Sequence, residues 1–85
     1  MFVFRPIDYG LRFDRCNSIH MFFCFQKIDV VMTDQNGLIL YTFPNVKPWQ
    51  IILPKRQVYT TFELPLGSCI KYRVGTYFPN DQKND

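Results

Sequence analysis

The sequence predicts an all-β (mainly β) fold, a small sandwich or jelly-roll-like barrel with one central hairpin and at most one short helical turn. Three observations predict it. Val, Ile, Thr and the aromatics make up 33 of the 85 residues, the residue types that fit a pleated, half-buried surface. Alanine, the best helix former, is absent altogether. Six prolines and four glycines cut the chain into short apolar runs, the punctuation of many strands joined by tight turns.

Phe2 to Phe4 and Leu11 to Phe13 read as strands separated by the turn-forming Pro6-Ile7-Asp8-Tyr9-Gly10. Ile19 to Phe25 is a Phe-dense strand, followed by a strand from Ile28 to Thr33. Asp34-Gln35-Asn36-Gly37 is the clearest turn, its Asn-Gly pair supplying the positive φ angles of a hairpin loop. Leu38 to Phe43 returns as the partner strand. Both arms are apolar at successive positions, which suits a strand covered on both faces.

Pro44 to Pro48 reads as a loop, because neither proline can donate to a ladder. Trp49 to Leu53 is a short strand stopped by Pro54, and Lys55-Arg56-Gln57 a basic bend. Val58 to Leu64 alternates, with Tyr59, Thr61 and Glu63 on one side and Val58, Thr60, Phe62 and Leu64 on the other. Pro65 to Ser68 turns the chain, and Cys69 to Val74 fits a strand or a single helical turn. Residues 1–79 form one expected domain, and the polar residues 80–85 an expected flexible tail. The expected core is Phe22, Val30, Met32, Leu40, Ile52, Phe62 and Leu64.

At 47% hydrophobic and 20% charged residues the composition is that of a folded chain. A net charge of +3 is too mild to call for a nucleic-acid partner. No apolar run approaches the roughly 18 residues of a membrane span, and Arg5, Pro6 and Asp8 interrupt any signal-peptide core. The three cysteines are an odd number, against a secreted disulfide framework. A cytoplasmic location is expected.

Cys16, His20 and Cys24 have a Cys-x3-His-x3-Cys spacing that would converge on one face of a helix. The intervening Ile19, Met21, Phe22 and Phe23 favour a strand, which would spread the two cysteines ~25 Å apart. No metal is expected there. Ser18, His20 and Asp29 contain the residue types of a hydrolytic triad, with His20 the sole histidine. No Gly-x-Ser-x-Gly elbow or oxyanion loop accompanies them, so no catalytic residue and no cofactor are assigned. Lys47, Lys55, Arg56, Lys71 and Arg73 are interleaved with Trp49, Tyr59, Tyr72 and Tyr77, a mixture that could grip single-stranded nucleic acid. Those aromatics must fill the core first, and nucleic acid is not the expected partner.

Four ordered blocks carry a family resemblance: Cys16 to Phe23 leading into Ile28-Asp29-Val30-Val31, the Asp34 to Gly37 turn, Asn45-Val46-Lys47-Pro48-Trp49, and Glu63-Leu64-Pro65-Leu66-Gly67. Together they resemble the prokaryotic domain of unknown function 192 (DUF 192) family over roughly residues 10–76. The chain departs from the family pattern at Gln26-Lys27, Gln50 and Gly75-Thr76, and most of the upstream family segment is missing. It resembles a divergent or N-terminally shortened member. The resemblance implies a small β domain with no established enzymatic activity.

Core packing alone would not call for Asn, His and Lys among the positions recognisable from the resemblance, so Asn17, Ser18, His20, Asp29, Lys47, Trp49 and Glu63 are the candidate ligand-binding residues. The expected arrangement brings Asn17 to His20 and the Lys47 to Trp49 loop together at one end of the sandwich, with Glu63 near the rim. In the alternative, Trp49 plugs that end and Lys47 is merely solvated. The expected function is a non-enzymatic module for a small-molecule or protein ligand. The alternatives are a minor hydrolase using His20, or single-stranded nucleic-acid binding.

Overall fold

The computed structural model describes residues 3–7, 10–20 and 26–79. Seven strands follow in order: β1 (Val3–Ile7), β2 (Gly10–Asp14), β3 (Ile19–His20), β4 (Ile28–Thr33), β5 (Ile39–Val46), β6 (Ile51–Ile52) and β7 (Thr60–Leu64). A 3-10 turn at Ser68–Lys71 completes them. Five strands form an antiparallel sheet in the order β1-β2-β7-β4-β5, and β3 pairs with β6 in a second, two-stranded sheet. The mainly β architecture with a single helical turn agrees with the sequence.

All six residues of β4 are buried, because both faces of the large sheet are covered. On one face Ile28, Val30 and Met32 pack with Val46, Val58 and Ile52 of the small sheet. On the other, Val31 packs with Ile39, Phe62, Leu64 and Phe78, and Cys69 and Tyr72 of the C-terminal segment close over them. The successive apolar residues of β4 are thus explained by two covers rather than one. Each such side chain contributes roughly 1.5–3 kcal/mol when fully buried. Leu40, expected in the core, is only partly buried against it, and Phe22 lies outside the described residues.

Tyr72 stacks on Phe78 with ring centroids 4.7 Å apart. Phe78 stacks on Phe62 at 3.8 Å, and the Arg12 guanidinium lies over the far side of Phe62 at 5.5 Å. Tyr72, one of the aromatics offered to a ligand surface, is therefore spent on packing, while the Tyr59 hydroxyl accepts an exposed hydrogen bond from Arg15.

The hairpin of β4 and β5 forms, but β5 is an edge strand, and β4 sits between it and β7. That edge position corrects the loop expected at Pro44 to Pro48. β5 runs on through Pro44 to Val46, since an edge strand has a side on which no N–H need be donated. Pro6 is accommodated likewise: β1 is the opposite edge and continues to Ile7, past the expected strand end. Two register shifts place extra residues in β5. At one of them Asn45 adopts a left-handed φ of 57°, a conformation Asn tolerates better than branched residues.

The turn at Asp34 also differs in detail from the expected form. Gly37 has a positive φ of 89°, but Asn36 does not. The Asp34 carboxylate instead closes the turn, accepting from the N–H groups of Asn36 and Leu38 at 2.8 and 2.9 Å. The strand expected over Trp49 to Leu53 shrinks to Ile51–Ile52. The one from Val58 begins at Thr60. Of the run Ile19 to Phe25, β3 holds Ile19–His20 and residues 21–25 lie outside the described residues.

Gly10 sets how closely β2 approaches β7. A β-carbon there would collide with the backbone carbonyl oxygen of Glu63 and touch the Leu64 side chain. Only glycine permits that contact.

Candidate functional site

The Lys47 to Gln50 segment joins β5 to β6 and is anchored at both ends by buried residues, Val46 and Ile52. The Gln50 N–H donates to the Lys47 carbonyl oxygen at 3.0 Å, which makes Pro48 and Trp49 the central residues of a β-turn. Proline suits that first central position, because its φ is already set. The Gln50 side chain then accepts from the Lys47 N–H at 2.7 Å and locks the turn. Gln50, one of the departures from the family pattern, thereby acquires a local role that no sequence pattern announced.

The turn carries Trp49 outward, 75% exposed. This excludes the alternative in which Trp49 plugs an end of the barrel. The indole instead lines an open groove of about 880 Å³. Leu11, Ile28, Leu64 and Leu66 supply its apolar walls, and Glu63 and Lys27 are the ionisable residues lining it. Strand pairing explains the meeting of these residues: β7 lies between β2 and β4, with Glu63 opposite Leu11 on one side and Val30 on the other. Glu63 is partly buried, and desolvation pushes its carboxyl pKa upward.

Asp29 has a different role. Its side chain lies on the opposite face of the large sheet from Ile28 and Val30, buried to 1% exposure. One carboxylate oxygen accepts from the Asn45 N–H at 2.9 Å and the other from the Cys69 N–H at 2.7 Å. The same carboxylate therefore holds the bulge in β5 and the start of the 3-10 turn. This is the loop-amide acceptor role that an Asp between two apolar residues invites. Both carboxylate oxygens of Asp29 are thus engaged by main-chain amides, a structural role rather than that of a member of a hydrolytic set. Cys69, whose thiol approaches the Val30 carbonyl at 3.7 Å, has its pKa pushed up to about 11 by burial and then by the Asp29 charge. It is an unreactive thiol at neutral pH.

Asn17 is exposed and Ser18 half-buried, in the bend between β2 and β3. The bend is held by main-chain contacts: the Lys55 N–H donates to the Asn17 carbonyl at 3.1 Å, and the Cys16 thiol donates to the Ser18 carbonyl at 3.2 Å. The backbone of His20 pairs with Ile51, and its side chain lies outside the described part of the chain, as does Cys24. Cys16 to Ser18 are irregular and Ile19–His20 extended, so the helical face that the Cys-x3-His-x3-Cys spacing would need is not formed. Among the described residues no group of three His, Cys, Asp or Glu is placed to hold a metal ion. No helix among them is long and apolar enough to cross a membrane.

Of the seven candidate residues, the groove takes Trp49 and Glu63. Lys47 sits at the base of the Trp49 turn, and Asp29 lines an adjoining depression with Lys27, Asn45 and Leu66. Of the basic residues in loops, Lys55 is committed to the protein's own rings, with its ammonium 5.6 Å from the Tyr41 centroid and 5.9 Å from that of Phe43. Sequence reading did not single out Lys27, Leu11 or Leu66 as site residues. Lys27 stands where the resembling family's pattern is broken, which was the one signal available.

Fifty residues of the chain, 59% of it, are 38% identical to the UPF0127 protein PH1112 of Pyrococcus horikoshii. The matched segment covers 43% of that relative, less than half its length. The relative's name marks it as a protein of an uncharacterised family. No family model and no solved structure matches the chain.

Proposed function

We propose that this chain is a non-enzymatic ligand-binding module, a divergent relative of the DUF 192 domains, and that its binding site is the groove lined by Trp49 and Glu63. The observation that carries this reading is the exposed indole at the tip of a Pro48-stiffened turn. A large aromatic ring held in water by a rigid turn is ready to bind without much ordering cost. The apolar walls and two ionisable residues beside it are the usual furnishing of a small-ligand site. The ordered sequence blocks and the partial likeness to an uncharacterised-family protein support the family assignment. An odd number of cysteines, with Cys16 and Cys69 as free thiols, is in keeping with a reducing compartment such as the cytoplasm.

Amide-shift mapping tests the site. The 15N-labelled chain is titrated with a panel of small amines, carboxylates, sugars and short peptides. The expected result is a set of shifts confined to Leu11, Lys27, Trp49, Glu63, Leu66 and their neighbours. Shifts centred elsewhere, or none with any class of compound, contradict the proposal.

A further inference from the structure

Among the described residues Glu63 is the one acidic residue lining the groove. Among the described residues its carboxylate has no hydrogen-bond or ion-pair partner. It faces Leu11 and Val30 across the neighbouring strands, and its burial lifts its pKa. Its oxygens reach solvent, since among the described residues no buried side-chain oxygen lacks a partner, yet a half-buried carboxylate beside apolar side chains is still disfavoured when ionised, and a cation relieves that. Arg12, in the neighbouring strand, is not that partner: it lies on the opposite face over Phe62 and pairs with Asp14 at 2.9 Å. Asp29 is on that opposite face too. The indole of Trp49 in the same groove offers a second attraction for positive charge, through the negative face of the ring.

We propose that the groove binds an organic ammonium, with the charged head taken by the Glu63 carboxylate and the Trp49 ring and the apolar body laid along Leu11 and Leu66. The proposal rests on the binding-groove reading above and adds the ligand's chemical class. A groove of about 880 Å³ is of the size that takes a small molecule. Among the described residues Lys27 is the one cationic residue lining it. It is exposed, and its flexible stem lets the ammonium stay in water rather than settle on Glu63. It acts as a weak repulsive term toward the ligand, not as the ligand's anchor.

The test compares three probes of one shape, phenethylamine, phenethyl alcohol and phenylpropionate, by calorimetry and amide-shift mapping at neutral pH. The amine is expected to bind about tenfold or more tighter than the alcohol, as a charge-assisted hydrogen bond requires. Glu63→Gln should remove that preference, Trp49→Leu should weaken the amine more than the alcohol, and Lys27→Met, which removes the repulsive charge, should tighten amine binding. In the wild-type chain the preference should also fade as acid protonates Glu63, since the amine probe keeps its charge there. Equal binding of amine and alcohol, or a preference that survives Glu63→Gln, overturns the ammonium assignment. If the alcohol or the acid still shifts the groove amides, the binding-groove reading stands without it. If no probe shifts them, both are contradicted.

Discussion

At the residue scale two carboxylates define how this small sheet is assembled. Asp29 satisfies two main-chain N–H groups from separate segments, so Asp29→Ala orphans both. The expected loss is about 1–3 kcal/mol for each group left buried and unpaired, read as a lower denaturation midpoint in urea. A variant as stable as the parent would show that the two segments are held by something else. Glu63 works in the opposite sense. Its folded-state pKa lies above the ordinary value, so the folded chain is favoured by the protonated form and loses stability as pH rises through that raised pKa. Glu63→Gln cannot ionise and escapes the loss. The variant should be more stable than the parent at neutral pH, with the gap closing below the usual Glu range of about 4.3. A gap that persists in acid would assign the effect to packing. From its place between Ile28 and Val30, Asp29 could be read as either a surface charge or an acceptor for loop amides, and its burial and two amide partners decide for the second. Glu63 as an unpaired groove carboxylate was not legible in the sequence, because its isolation depends on what β2 and β4 place beside it.

Elements were legible to the degree that local chemistry decides them. Ile28–Thr33 appears at the bounds its apolar run predicts, and the Asp34 to Gly37 turn closes where Gly37 allows a positive φ. The two strands that run past their expected ends share one cause. Proline breaks an inner strand but not an edge strand, and edge position is a property of the whole sheet that Pro6 and Pro44 cannot disclose locally. The strand order itself, with β7 inserted between β2 and β4, comes from long-range pairing for which no short pattern exists. Gly10 records that insertion most sharply. Gly10→Ala drives a methyl group into the Glu63 carbonyl, forcing β2 away from β7. The cost should be roughly 1–3 kcal/mol, as for overpacking elsewhere, and fluorine- or amide-detected shifts should concentrate along β2 and β7. A neutral effect would mean the two strands do not meet at that register.

On the scale of the whole molecule, β4 is the common layer between two separate apolar clusters. A chain of this length has little stability in reserve, since domains hold only about 5–15 kcal/mol. Met32→Ala empties a fully buried position and should cost about 2–5 kcal/mol, a large share of that reserve, read as a lower denaturation midpoint by circular dichroism. Full retention of the β signal and midpoint would contradict the double-covered core. The candidate site is a product of this same assembly. The sequence identified its Trp49 and Glu63, but it could not identify Leu11, Lys27 and Leu66, which come from the ends of β2, β4 and β7 and meet only when the sheet closes. The account therefore stands on Trp49 being held in water at the mouth of that groove. As the chain's single tryptophan, it can be read directly by acrylamide quenching of its fluorescence in the native protein. The predicted result is red-shifted emission quenched nearly as efficiently as free indole, with protection appearing when a groove ligand binds. A blue-shifted, quench-resistant indole in the ligand-free chain would place Trp49 inside the protein and contradict the site.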